Sequence, residues 1–260
     1  MGYTADIMTI HDFDVWAREV LGIDKFNAAD SSLNGLQVGQ ETAPLRTIAF
    51  AVDCGLETIQ RAKARGAQLL FVHHGLFWGR SERLTGFLYK RIASLIDAQM
   101  GLYACHLPLD AHPELGNNAV IARILGLNSI EPFGQYHGAF IGCKGLLPEA
   151  LSLEAVSRLL LPDGNAPLSM LPFGPKLIRS VGIISGGAAS DVLQAVDQGL
   201  DLYITGESGH EIYHPVLESG INMLAFGHYS SEVHGVQAVA ERACRDLGLE
   251  TFFVDVPTGL

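Results

Sequence analysis

The 260-residue sequence predicts an α/β protein made of two α/β domains with mostly parallel sheets. Three observations lead there. Short apolar runs alternate with amphipathic segments of helical period, the pattern of βαβ units. That rhythm breaks once, at "EPFGQYHGAFIGCKGLLPEA", where Pro132, Gly134, Gly138 and Gly142 punctuate the chain. The length suits one large α/β domain or two ordinary ones. We place the change near residue 130, assigning 1–130 plus 222–260 to one domain and 131–221 to the other.

The elements follow in order. A helix is expected over 9–22, with Thr9 as cap and Ile10, Phe13, Val15, Trp16 and Val20 as an imperfect apolar face. "DSSLNGLQVGQ" (30–40) is rich in turn formers. Next come a strand at "RTIAFAVD", a helix at "GLETIQRAKARG" and a strand at "AQLLFVHH". "FLYKRIASLIDAQ" reads as helix, "GLYACH" as strand and "NNAVIARILG" as helix. The second region opens with a helix at "LSLEAVSRLLL", then a Pro/Gly-rich loop over 162–175. A strand at "LIRSVGIIS" leads through Gly186–Gly187 into a helix over 189–199. "DLYITGE" and "NMLAFGH" are strands around the helical "HEIYHPVLESG"; a helix over 230–247 and a strand "TFFVDV" follow.

Composition narrows the function. A hydrophobic share of 48% against 17% charged residues fits a packed globular protein rather than a disordered one. A formal net charge of −11 argues against a broad nucleic-acid footprint. No apolar run approaches the ~20 residues of a membrane span. The opening residues show no basic region ahead of an apolar one, and Asp6 stands where a myristoylation pattern needs Ser or Thr, so neither a secretory signal nor that acyl anchor is expected. Cys54, Cys105, Cys143 and Cys244 form no CxxC pair. They read as small core residues in a reducing cytoplasm, with thiolate metal sites not expected.

Chemistry-bearing residues gather at three strand ends: His73–His74, then His106, Asp110 and His112 of "CHLPLDAH", then His228, Glu232 and His234 of "GHYSSEVH". Ligands of open parallel sheets bind beyond the carboxyl ends of strands, so the three clusters could meet at one site. Two adjacent histidines in a strand point to opposite faces, but at its end they can diverge towards two nearby ions. His228 and Glu232, four apart near a helix start, share a face, although Ser230 as cap would alter the phase. Pro108 is expected to break any helix between His106 and Asp110, leaving a rigid loop. Spacing alone leaves His73, His74, Asp110, His228 and Glu232 open between a metal site and ordinary hydrogen-bonded side chains. If metal, two carboxylates against two divalent cations leave a charge of +2 for an anionic substrate to offset. Glu232, the longer acid, suits a bridge. His11, His137, His210 and His214 read as ordinary polar histidines; His112 and His234 could orient ligands. Glu207 of "ITGESGHE" either faces the same cleft or caps a helix. Gly186–Gly187 is a weak phosphate candidate, and no GxSxG elbow is present.

"NGLQVG", "VHHGLFW", "HLPLDAHPELGNNA", "TGE" and "GHYSSE", in that order, resemble the motifs of the Nif-three-like dinuclear metal-centre family, whose bacterial members are often labelled GTP cyclohydrolase 1 type 2 homologs. The resemblance spans about residues 30–256. It implies two layered αβα domains, a pair of divalent metals and a homohexameric ring. By motif it gives His73 and His74 one metal each, Asp110 one, His228 the other, and Glu232 both, with His106 lining the pocket. The sequence lacks the Trp-Asp-Asn opening common in the family, which argues against a site role for residues 30–33. The expected function is a metal-dependent hydrolase acting on a nucleotide or related phosphorylated heterocycle, using Zn, Mn, Fe or Ni. His106 is the first candidate for proton transfer and Glu207 the second. The alternative is a non-enzymatic metal-binding ring that serves as scaffold or regulator.

Overall fold

The computed structural model describes residues 7–260, so the reading of Asp6 lies outside the described residues. In chain order the elements are α1 (Ile10–Leu21), β1 (Gly35–Val38), β2 (Thr47–Asp53), α2 (Leu56–Ala64), β3 (Leu69–His74), α3 (Gly86–Asp97), β4 (Gly101–Ala104) and α4 (Leu107–Asp110). They continue with α5 (Asn117–Ile124), β5 (Asn128–Tyr136), β6 (Ala139–Leu151), α6 (Leu153–Leu160), β7 (Ser169–Pro172), β8 (Ile178–Ile183) and α7 (Val192–Asp197). Last come β9 (Leu202–Thr205), α8 (Tyr213–Ser219), β10 (Asn222–Ala225), α9 (His228–Leu247) and β11 (Glu250–Phe253).

The chain divides into two compact units, 1–109 with 236–256 and 110–235 with 257–260, whereas composition placed the joins at 130 and 222. Two observations explain the placement. Ile121, Ala122, Leu125 and Leu127, on and after α5, pack into the same apolar core as β8 and β9. Strand β10 pairs with β9 and β7 and so belongs to their sheet.

In the first unit the strand order is β1-β4-β3-β2-β11, parallel except at the β1 edge. The first five residues of β3, Leu-Leu-Phe-Val-His, are all buried, as in a strand covered on both faces, and the sixth, His74, is half-buried. One face carries a packed core that includes Leu70, Val72, Leu102 and Ile59. On α1, Phe13 meets Phe71 and Tyr103 edge-on at 6.3 and 5.3 Å, and the buried Tyr103 hydroxyl donates to Asp14 at 2.9 Å. Thr9 caps α1 in a reciprocal box with Asp12.

In the second unit the order is β5-β6-β8-β9-β10-β7, with β8, β9 and β10 parallel and the flanking pairs antiparallel. Among the described residues the two sheets hold five parallel and four antiparallel pairings, the expected mostly parallel α/β class. Four strands were not expected. β1 lies in the turn-rich 30–40 stretch, β7 in the loop over 162–175, and β5–β6 form a long hairpin across the glycine-punctuated segment. Its turn is His137–Gly138, with φ of 47° and 86°.

Among the described residues no helix is long and apolar enough to cross a membrane. Cys54, Cys105 and Cys143 are buried as expected, and burial pushes the Cys54 and Cys143 thiols up to about 12. Cys244 is exposed, which corrects the core reading: Ala240 and Ala243 take the inward face of α9, and the next residue turns about 100° away.

Candidate metal centre

His73 and His74 end β3, and His106 follows β4, its parallel neighbour, so all three imidazoles stand at one end of one sheet. Their ring centroids lie 4.7 Å (His73–His74), 5.1 Å (His73–His106) and 5.7 Å (His74–His106) apart. One ring nitrogen from each falls within 4.8 Å of the other two, a set that could hold a metal ion.

Each ring is held from behind. His73 Nδ1 donates to the Cys105 carbonyl at 3.0 Å, His74 Nδ1 to Asp53 Oδ1 at 2.9 Å, and His106 Nδ1 to Asp30 Oδ1 at 2.9 Å. With the proton on Nδ1, the lone pair sits on Nε2, the tautomer a metal ligand needs. Sequence reading missed Asp53, although a signal was there: Asp53 pairs in register with His74 across β2 and β3. Asp30 corrects the expectation that residues 30–33 have no part. Its carboxylate is 1% exposed and also accepts from the backbone N–H groups of Ser32 and Leu107 and from the Asn34 amide. Burial raises the Asp30 carboxyl, but the bonds from His106, Asn34 and Ser32 outweigh it and hold it below its ordinary value.

The "NGLQVG" motif now has a physical role. Gln37 accepts from the Leu76 N–H at 2.7 Å and donates to the Leu33 carbonyl at 2.7 Å, tying β1 to the loop that follows His74. Gly75 is required there because a Cβ would stand 2.7 Å from the Ala104 Cβ and run into the Gln37 amide.

The second unit gathers the carboxylates. Helix α9 begins at His228, not after a Ser230 cap, so His228 and Glu232 are one turn apart and His228 Nε2 lies 3.3 Å from Glu232 Oε1. Glu207, just past β9, accepts from His228 Nδ1 at 2.5 Å, so it faces the cluster rather than capping a helix. Burial works against the His228 imidazolium, but Glu232 and Glu207 outweigh it and lift its pKa to about 9. Asp110, at the end of the single turn α4, accepts from Asn117 Nδ2 and Ser185 Oγ, each at 2.8 Å. Pro108 does not prevent that turn, because it sits in the first turn, where no intrahelical donor is needed. Asp110 and Glu232 are both buried and offer carboxylate oxygens within 4.8 Å of each other. Two buried carboxylates that close, with the His228 imidazole beside Glu232, are a donor set that fits a divalent metal. Ser231 Oγ accepts from the Gly186 N–H at 2.9 Å, so that amide is not offered to a phosphate.

His112 Nδ1 caps a turn by accepting from Glu114 and Leu115 N–H. Burial lowers the His234 pKa. His11, His137, His210 and His214 are exposed and belong to none of the candidate ligand groups among the described residues. Beside Asp110 a cavity of about 290 Å³ opens among Asn118, Ile130, Pro132, Phe140 and Cys143.

Fold and side chains together define an α/β protein with candidate metal-ligand clusters of histidine and carboxylate. The chain belongs to the Duf34/NIF3 (NGG1p interacting factor 3) family, whose model matches residues 8–259. It is 41% identical to a Treponema pallidum protein named GTP cyclohydrolase 1 type 2 homolog, over 97% of this chain and all of that one. A Deinococcus radiodurans protein of the same name is 45% identical over 94% and 92% of the two chains. The crystal structure of TTHA1606 from Thermus thermophilus superposes with a TM-score of 0.88 at 36% identity, covering 97% of this chain and 100% of that one.

Proposed function

We propose that this protein is a metal-dependent hydrolase with a dinuclear centre, its ligands being His73, His74, Asp110, His228 and Glu232. One observation carries the reading: His73, His74, His106 and His228 each have Nδ1 held by an oxygen, three of the four by carboxylates. That arrangement fixes ring orientation and raises ligand basicity, as around metal-bound histidines. The mixed nitrogen and oxygen donors suit Zn, Mn, Fe or Ni. When bound, a divalent pair supplies Lewis acidity at the reacting bond.

The chain's own residues do the rest. Asp53, Asp30 and Glu207 orient their imidazoles, and Asn117 and Ser185 hold the Asp110 carboxylate in place. His106 is the proton-transfer group of this reading, with Glu207 the second candidate. The cavity beside Asp110, near the lower end of small-molecule pockets, has apolar walls at Ile130, Pro132 and Phe140 suited to a flat ring. With the name that the relatives carry, this favours a nucleotide or related phosphorylated heterocycle as substrate. Assembly as a homohexamer is part of the same reading, and light scattering that finds only monomer at micromolar concentration would remove it.

The test is a turnover screen of two-ion protein against a metabolite extract, with Glu232→Gln as control. Depletion of a phosphorylated heterocycle by the wild type and not by the variant supports the hydrolase. No turnover at full occupancy favours the scaffold.

A further inference from the structure

We propose that Trp78 is the surface on which the flat ring of the substrate stacks, with Arg83 in the same loop to meet its phosphate. This rests on the reading of the substrate as a phosphorylated heterocycle and names the residues of the first unit that recognise one.

Trp78 is placed unlike its neighbours. Leu76 and Phe77 pack into the apolar core with Leu70 and Val72. The Trp78 ring lies instead against two imidazoles, edge-on to His106 at 4.9 Å and tilted to His74 at 6.1 Å. It is half-buried, so part of the indole faces solvent. An aromatic ring left partly open beside the proton-transfer group offers a flat apolar surface where the reaction takes place.

The indole is also held rigidly. Its N–H donates to the Gly75 carbonyl at 3.1 Å. On either side of it, the Leu76 N–H donates to Gln37 at 2.7 Å and the Phe77 carbonyl accepts from the Leu33 N–H at 2.9 Å. Gly79 follows with φ of 69°, so close to the next loop that a Cβ would stand 3.1 Å from the Ser31 carbonyl oxygen. A ring already fixed in place loses little freedom when a ligand stacks on it.

Charge supplies the second observation. Residues 80–91 hold Arg80, Arg83, Lys90 and Arg91 against one acid, Glu82, in a chain whose formal net charge is −11. Arg80 is engaged with Glu82 at 2.9 Å, whereas the exposed Arg83 guanidinium pairs with no acid among the described residues. Five residues on from Trp78, Arg83 is the cation placed to meet a phosphate while the ring lies on the indole. The cavity beside Asp110, in the second unit, is the other surface suited to a ring. Trp78 is favoured because proton transfer needs the reacting atom within hydrogen-bond reach of its carrier, and Trp78 touches His106.

The chain has two tryptophans, so Trp16→Phe leaves Trp78 as the reporter. Zinc-loaded full-length Trp16→Phe protein is titrated with guanosine monophosphate, adenosine monophosphate and ribose 5-phosphate, followed by fluorescence and by calorimetry. Saturable quenching by a purine nucleotide and none by ribose 5-phosphate is expected. Trp78→Ala should weaken nucleotide binding by about 5–150-fold, the effect of losing one base stack. Trp78→Phe keeps a flat ring and should recover most of that affinity at unchanged zinc content. Arg83→Gln should weaken guanosine monophosphate by about two- to five-fold and leave guanosine unaffected; equal effects on both would overturn the role given to Arg83. Calorimetric binding without a fluorescence change, or undiminished affinity in folded Trp78→Ala, overturns the stacking proposal and leaves the phosphorylated-heterocycle reading standing. If neither nucleotide binds at millimolar concentration, that reading falls and the proposal falls with it. If Trp78→Ala misfolds, the Trp16→Phe titration still decides.

Discussion

Glu232→Gln separates a metal bridge from an ordinary buried acid, because its effect should depend on whether metal is bound. Without metal, Glu232 feels two opposing charges. His228 Nε2 lies 3.3 Å from it, charged at neutral pH with a pKa lifted to about 9, and the Asp110 carboxylate lies within 4.8 Å. At an effective dielectric constant of about 20 the attraction is roughly 5 kcal/mol and the repulsion at least about 3.5 kcal/mol. These nearly cancel, so the ion-free variant should unfold within about 2 kcal/mol of wild type, a shift of at most several degrees for a chain this size. With metal the balance changes, since both ions lose a ligand. At a metal concentration 100 times Kd, each ion stabilises the wild type by about 2.7 kcal/mol; a 100-fold weaker Kd leaves about 0.4 kcal/mol. The assay is thermal unfolding of both proteins, stripped and reloaded, with metal content measured in parallel. Full occupancy of either ion in folded Glu232→Gln, or an undiminished metal-induced shift, would refute the bridge and reassign Glu232 to proton transfer.

Other expectations follow from the same structure. Asp53→Asn, which removes the carboxylate behind His74, should weaken metal binding by about 10–100-fold in a competition assay with little change in circular dichroism. Gly75→Ala should destabilise by about 1–3 kcal/mol in a urea titration, because the new methyl meets Ala104 and Gln37. Thr9→Ala should lose about 1 kcal/mol with its cap on α1. The bond from Thr9 holds the Asp12 carboxyl below its ordinary value, so that contribution stands above the unfolded pKa and fades as pH falls through the folded one, which an acid titration followed by circular dichroism would show. In native protein a thiol reagent should label Cys244 ahead of the three buried cysteines, as peptide mass spectrometry would report.

What the sequence made legible was the periodic part. The buried β2, β3 and β4 are apolar runs between turn formers, and α1 announces itself through Thr9, Ile10 and Phe13, although Ala17 and Leu21 complete its buried face and the expected Val15 is exposed. The β5–β6 hairpin was hidden because its glycines look like breakers while acting as packing sites: a Cβ on Gly142 would run into the Ile183 carbonyl of the next strand. β7 escaped because a four-residue strand between Pro/Gly loops has no period to detect. For the centre, residues with distinctive chemistry stood out at strand ends. Their supports did not, because Asp30 and Asp53 are common acids whose partners lie 76 and 21 residues away. Pairing the ends of neighbouring parallel strands would have exposed Asp53 but not Asp30, which comes from a turn.

The central claim is that this chain holds two divalent ions, and anomalous diffraction combined with elemental analysis of metal-saturated wild-type protein tests it most directly. Two anomalous peaks per chain are predicted, with His73, His74, Asp110, His228 and Glu232 as ligands and Glu232 touching both. One ion or none per chain after saturation with Zn, Mn, Fe and Ni in turn would contradict it.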